Sequence, residues 1–184
     1  TGASAVTGMS NTGGTTKIFS KNKIYNLEAN NASGTVNGIL VSAGTTVTVH
    51  NNLVGDLRTP ITNAANPLVG INITGGTTSN VYFNTVWLNG SSSGALFGAS
   101  SISASTTPAL TLRNNIFVNT STPAGATGYA SAYRRSTTTL TTYNAASNNN
   151  LFYAGTPGPN NLIFFDGTNS DQTLAAYKTR VSTR

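Results

Sequence analysis

Glu28, Asp56, Asp166 and Asp171 are the only carboxylates in this sequence, and His50 is its only imidazole. Glu28 and Asp56 stand 28 residues apart, with Lys21, Lys23 and Arg58 close by in the chain. If the chain coils with a period near that length, the two acids become neighbours on adjacent turns, roughly 5–10 Å apart. Such a pair could hold calcium and abstract a proton while the basic residues clamp an acidic substrate. Calcium prefers about six to eight oxygens, however, several of them from carboxylates. The places that correspond in later repeats, Asn89 and Asn119, are neutral. Solvated surface acids balanced by basic neighbours are therefore the expectation. His50 has no Cys, His or acid cluster around it and reads as a surface residue. The many Ser and Thr residues include no Gly-x-Ser-x-Gly elbow. No catalytic, cofactor-binding or metal-ligating residue is assigned, and calcium near Glu28 and Asp56 is kept only as an exception to be tested.

The elements that would position these groups come from a repeat. TVTVHNNLVGDL, centred on Asn51, returns as KIFSKNKIYNL (Asn22), SNVYFNTVWLN (Asn84), ALTLRNNIFVN (Asn114) and AASNNNLFYAG (Asn149). The steps are 29, 33, 30 and 35 residues, and an aliphatic residue follows two places on at Ile24, Leu53, Val86, Ile116 and Leu151. Units of that length, built of strands and too short to fold alone, read as a solenoid. Asparagine at one fixed point of each coil can pair its amide with the copies above and below, so Asn22, Asn51, Asn84, Asn114 and Asn149 are expected to form a buried ladder. A second repeat precedes the first three of them: GMSNTGGTT, GILVSAGTT and GINITGGTT begin at Gly8, Gly38 and Gly70. Their Gly-Thr-Thr ends read as coil corners, where glycine supplies φ > 0. Later coils drift, with a Thr-Thr corner at Thr106-Thr107 and an insertion around Arg134 to Thr142.

Three places after the asparagines come Tyr25, Val54, Trp87, Phe117 and Phe152. Strand alternation turns this column outward if the aliphatic column faces the core. Tyr25, Trp87, Phe117 and Phe152 are thus a candidate contact surface for sugar rings or another protein, although packing beneath loops or a terminal helix is the favoured reading. Residues 1–158 read as coils, entered at Ala3, and residues 159–184 as a closing strand and helix. In NSDQTLAAYKTRV, Asn169 is the expected N-cap, with Leu174, Tyr177 and Val181 along one face.

Charged residues are only 8% of the chain, and the net charge of +6 is scattered apart from Arg134-Arg135. That distribution supports neither disorder nor a nucleic-acid footprint. There is no cysteine, and no apolar run reaches membrane-spanning length, so membrane insertion is not expected. RNNIFVN and NNNLFYAG, followed by TLAAYKTRV, resemble the right-handed parallel β-helix family with the pectin-lyase-like fold. They look most like non-catalytic β-helix segments of large secreted bacterial surface proteins. The resemblance implies three parallel sheets per coil and an internal asparagine ladder, but not an activity. The expectation is an all-β, right-handed parallel β-helix of about five coils with a short C-terminal helix. Its expected role is a structural, extracellular module that stacks end to end with itself or with sister domains. A carbohydrate-active β-helix, either lyase-like or glycan-binding, is the alternative.

Overall fold

The computed structural model describes residues 4–184. Ala3, the expected entry to the first coil, lies outside them, and the first strand begins at Ala5. Coil one holds β1 (Ala5–Asn11), β2 (Thr16–Ser20), β3 (Lys23–Ile24) and β4 (Leu27–Glu28). Coil two repeats the order as β5 (Thr35–Val41), β6 (Thr46–His50), β7 (Leu53–Gly55) and β8 (Leu57–Arg58). Coil three has β9 (Ala64–Ile73), β10 (Thr78–Tyr82) and β11 (Thr85–Leu88), and coil four has β12 (Phe97–Ala104), β13 (Ala109–Arg113) and β14 (Ile116–Asn119). Coil five keeps β15 (Ala130–Arg135) and β16 (Leu151–Tyr153). Its middle strand is replaced by the bridges Leu110–Tyr143 and Arg113–Asn148. β17 (Asn161–Phe165), β18 (Ser170–Asp171) and α1 (Leu174–Val181) end the chain.

Each strand pairs with its counterpart one coil away. The first sheet runs β1-β5-β9-β12-β15-β17-β18, the second β2-β6-β10-β13 and the third β3-β7-β11-β14-β16, with a small β4-β8 pair beside them. Every strand pairing is parallel except β17 with β18. The chain is thus a parallel β-solenoid of about five coils, as the repeat predicts. Its core consists of stacked columns of like residues. Ile39, Ile71, Ile102, Tyr133 and Phe164 are in register in the first sheet. Phe19, Val49, Val81 and Leu112 are in register in the second. Nearly all of these are fully buried, each contributing about 1.5–3 kcal/mol relative to exposure. The Gly-Thr-Thr corners turn as expected: Gly14, Gly44 and Gly76 have φ of 98°, 113° and 103°. Gly8, Gly38 and Gly70 serve a different purpose. A Cβ there would run into Ile24, Val54 and Val86, so these glycines let the first sheet approach the third.

The asparagine ladder exists, one residue from its expected place in three coils. Asn22, Asn52, Asn84, Asn115 and Asn150 form it. Asn22 Nδ2 donates to Asn52 Oδ1 (2.8 Å), Asn52 Nδ2 to Asn84 Oδ1 (2.9 Å), Asn84 Nδ2 to Asn115 Oδ1 (3.0 Å) and Asn115 Nδ2 to Asn150 Oδ1 (2.8 Å). Each backbone N–H donates to the same oxygen. The amides of Asn52, Asn84, Asn115 and Asn150 also donate to Phe19, Val49, Val81 and Leu112 carbonyls one coil back. Asn51, Asn114 and Asn149, expected in the ladder, are instead exposed. They share with Lys21 and Phe83 a left-handed backbone, φ 55–59°, at the turn between the second and third sheets. Asparagine tolerates that conformation better than most residues, so Asn-Asn pairs arise there for two separate reasons.

The shift inverts the expected facing. Leu53, Ile116 and Leu151 point outward, whereas Ile24, Val54, Val86, Phe117 and Phe152 line the inner side of the third sheet.

At the other end, α1 covers the last coil. Its N-cap is Thr173, which accepts from the Ala176 N–H at 3.2 Å, rather than Asn169. Asn169 closes a turn on Asp166, and Ser170–Asp171 pairs as a strand. Tyr177 and Val181 are buried, as the helical spacing predicts, while Leu174 is exposed. Tyr177 joins Tyr133, Tyr143, Phe152 and Phe164 in an aromatic lid, and its hydroxyl is 2.7 Å from that of Tyr143. Arg135, fully buried, donates to the Tyr133 hydroxyl (3.0 Å), Thr142 Oγ1 (2.8 Å) and the Thr139 carbonyl (3.1 Å), which anchors the inserted segment.

Asn115→Leu should orphan its neighbours' amide groups at about 1–3 kcal/mol each, whereas Asn114→Gly, adjacent in sequence, should leave stability unchanged or raised, because glycine suits the left-handed turn. Denaturant melts of the two variants test the register directly. Burial raises the pKa of Tyr133, Tyr143 and Tyr177 above the ordinary phenol value. A raised folded pKa contributes stability below the unfolded value, near about pH 10, that is lost as pH climbs through the folded values. Melting temperature should therefore hold to about pH 10 and fall steeply above it, less steeply in Tyr143→Phe.

Candidate binding face

The carboxylates all have structural partners. Arg58 donates from Nε to Glu28 Oε2 at 3.0 Å, from Nη1 to Asp56 Oδ1, and from Nη2 to Asn26 Oδ1 at 2.7 Å. Those two carboxylates raise the Arg58 pKa, with the Asp56 hydrogen bond the larger cause and Glu28 next. The adjacency of Glu28 and Asp56 expected from the repeat is therefore real, but the guanidinium occupies the place a cation would take. Asp56 also adopts φ 50°, matching Asn26 (φ 57°) at the same corner of coil one. Asp171 accepts two bonds from Arg180, at 2.6 and 2.7 Å. Asp166 accepts from the Thr168 and Asn169 N–H groups. No group of three or more His, Asp or Glu side chains that could hold a metal occurs among the described residues. His50 lies half-buried on the outer side of the second sheet, its Nδ1 3.0 Å from Asn51 Nδ2.

The groups the structure does bring together are apolar. On the outer side of the third sheet one column reads Gly55, Trp87, Val118 and Tyr153, with Trp87 registered against both Gly55 and Val118, and Val118 against Tyr153, and Tyr25 follows directly on β3, whose Ile24 is registered against Val54. Tyr25, Trp87 and Tyr153 are 56%, 52% and 47% exposed. A parallel column reads Lys23, Leu53, Thr85, Ile116 and Leu151, whose three aliphatic members are comparably exposed. Trp87 Nε1 donates to Thr120 Oγ1 at 3.3 Å, which orients the indole, and the Lys23 ammonium stands 4.9 Å from the Tyr25 ring centre.

Of the expected contact residues, Tyr25 and Trp87 belong to this face. Phe117 and Phe152 do not: Phe117 is fully buried and stacks on Phe152 at 5.8 Å inside the coil. Their places are taken by Val118 and Tyr153, the latter not singled out from sequence. A signal for the true register was available. Measured to Asn22, Asn52 and Asn84, the spacing from Gly8, Gly38 and Gly70 is 14 residues in all three coils. Comparison with protein-family models, curated proteins and solved structures finds no match to this chain.

Because Glu28 and Asp56 are exposed and share Arg58, changing them to Gln and Asn, which keeps a residue tolerant of the left-handed backbone at position 56, should leave the melting temperature nearly unchanged with and without calcium. A calcium-dependent rise that the double change abolishes would restore the metal-site reading.

Proposed function

We propose that this chain is a rigid, non-enzymatic β-solenoid module of an extracellular surface or filament protein, with a first coil that receives a further coil of a sister domain. The three parallel sheets and the asparagine ladder support a pectin-lyase-like reading of the coil. One observation carries the stacking: the ladder is open at Asn22. Every later ladder oxygen accepts from the coil before it, and no donor reaches Asn22 Oδ1 among the described residues. Asn11 Oδ1, on the same rim, is buried and also lacks a partner. Around them lie grooves lined by Met9, Ile24 and Leu27 and by Asn11 and Phe19. Unpaired backbone over an apolar cross-section is a template for adding strands, and the complement it asks for is another coil with an asparagine amide in the ladder position. The opposite end has α1 over it, so the head-to-tail use of both ends is narrowed to the first-coil rim.

Stacked coils are stabilised by nearest-neighbour interfaces. A version with residues 5–34 repeated ahead of Ala5 should melt higher than the parent and slow hydrogen exchange in β1 to β3. An unchanged melt, with the added coil exchanging freely and β1 to β3 already protected in the parent, would defeat the stacking. The carbohydrate-active alternative is favoured by one feature, the apolar outer face of the third sheet, and as binding rather than catalysis.

A further inference from the structure

We propose that the outer face of the third sheet binds a neutral, extended polysaccharide lying parallel to the solenoid axis, with Trp87 and Tyr153 as stacking platforms and Tyr25 at the far end. Trp87 and Tyr153 lie in the third and fifth coils, so binding there does not depend on whether another coil stacks on the first. Adjacent parallel strands lie about 4.8 Å apart, so rings on every second coil recur about every 10 Å. In an extended β-linked chain, two pyranose units also form the repeat that returns the same sugar face to the same side. Trp87 and Tyr153 occupy alternate coils of one column with Val118 between them, and Tyr25, directly after β3, lies two coils before Trp87 with Gly55 in the coil between. Both intervening residues are smaller than the rings they separate, so the rings stand clear of them along the axis.

Chemistry points the same way. Aromatic faces pack on apolar surface while their polar handles stay wet, and the C–H faces of a pyranose are such a surface. The indole is held by Thr120 rather than free to rotate. Among the outward residues of the two columns only Lys23 is charged, which suits an uncharged polymer better than an acidic one. The turn positions along the edge of the face read Lys21, Asn51, Phe83, Asn114 and Asn149, and the three exposed asparagine amides among them can donate to and accept from sugar hydroxyls. A protein partner would need no such axial period.

Trp87 is the chain's single tryptophan, so its fluorescence reports on the proposed platform without a label. Titration with soluble β-linked oligosaccharides of glucose, mannose and N-acetylglucosamine should quench or shift its emission for at least one series, with affinity rising up to a length that spans two rings. Retention on the matching insoluble polymer should be insensitive to salt. It should fall about tenfold in Trp87→Ala and in Tyr153→Ala, and recover in Trp87→Phe, with melting curves at the parental value throughout. The proposal is overturned if no neutral series perturbs the emission, or if folded Trp87→Ala and Tyr153→Ala bind as the parent does. It is also overturned if only acidic polymers are retained and salt releases them. A concentration-dependent dimer lost in Trp87→Ala would assign the face to a protein contact instead.

Discussion

A buried primary amide must find both a donor and an acceptor, and in this molecule the coils above and below supply them. Asn52, Asn84 and Asn115 are nearly devoid of solvent contact, and each is satisfied by the ladder and by backbone one coil away, with Asn84 adding a bond to the Tyr82 carbonyl of its own coil. Leaving one such group unpaired costs about 1–3 kcal/mol, so a coil that slips by one residue loses more than its apolar packing. Parallel sheets alone leave register weakly specified where neighbouring side chains are alike. The ladder supplies the missing specification, and the apolar columns then fall into place around it.

That constraint distributes the rest of the chemistry. With the second-to-third-sheet turn pinned by the ladder, the residue before each asparagine takes a left-handed backbone, and the residues after it alternate between core and solvent. The outer face of the third sheet is therefore a direct readout of odd positions after the turn. Large apolar residues gather there at Tyr25, Leu53, Trp87, Ile116, Leu151 and Tyr153, on a chain whose remaining surface is rich in threonine, serine and asparagine. Exposed hydrophobic groups scattered singly need no explanation; their alignment on one sheet is what the proposed polysaccharide site rests on.

The two ends differ in a way the coils do not. Aromatic rings, the Tyr143–Tyr177 hydroxyl pair, and the Arg135 guanidinium without a carboxylate partner fill the space under α1. The rim at Asn22 has no comparable filling among the described residues, and its polar atoms keep the orientation they have in interior coils. The ladder itself has a direction, since each amide donates to the oxygen of the following coil and, from Asn52 on, to a carbonyl of the preceding one, so the two rims are chemically distinct.

Much of the architecture was legible in the sequence, because a solenoid writes its period directly into the chain. The repeats of about 30 residues, the Gly-Thr-Thr corners and the burial of Tyr177 and Val181 follow from local rules that operate coil by coil. Even the adjacency of Glu28 and Asp56 could be read from the period. What remained open was which asparagine of each Asn-Asn pair turns inward, since left-handed turns and ladders select the same residue type. With alternation of period two, that single-residue choice exchanged the faces, moving Phe117 and Phe152 into the core and Tyr153 onto the surface. The role of Arg58 was likewise undecided, because a guanidinium near two carboxylates in sequence can clamp a substrate or neutralise its neighbours. Only the stacking of coil on coil decided both questions, since hydrogen-bond partners about 30 residues apart are a property of the assembled solenoid and not of any one of its repeats.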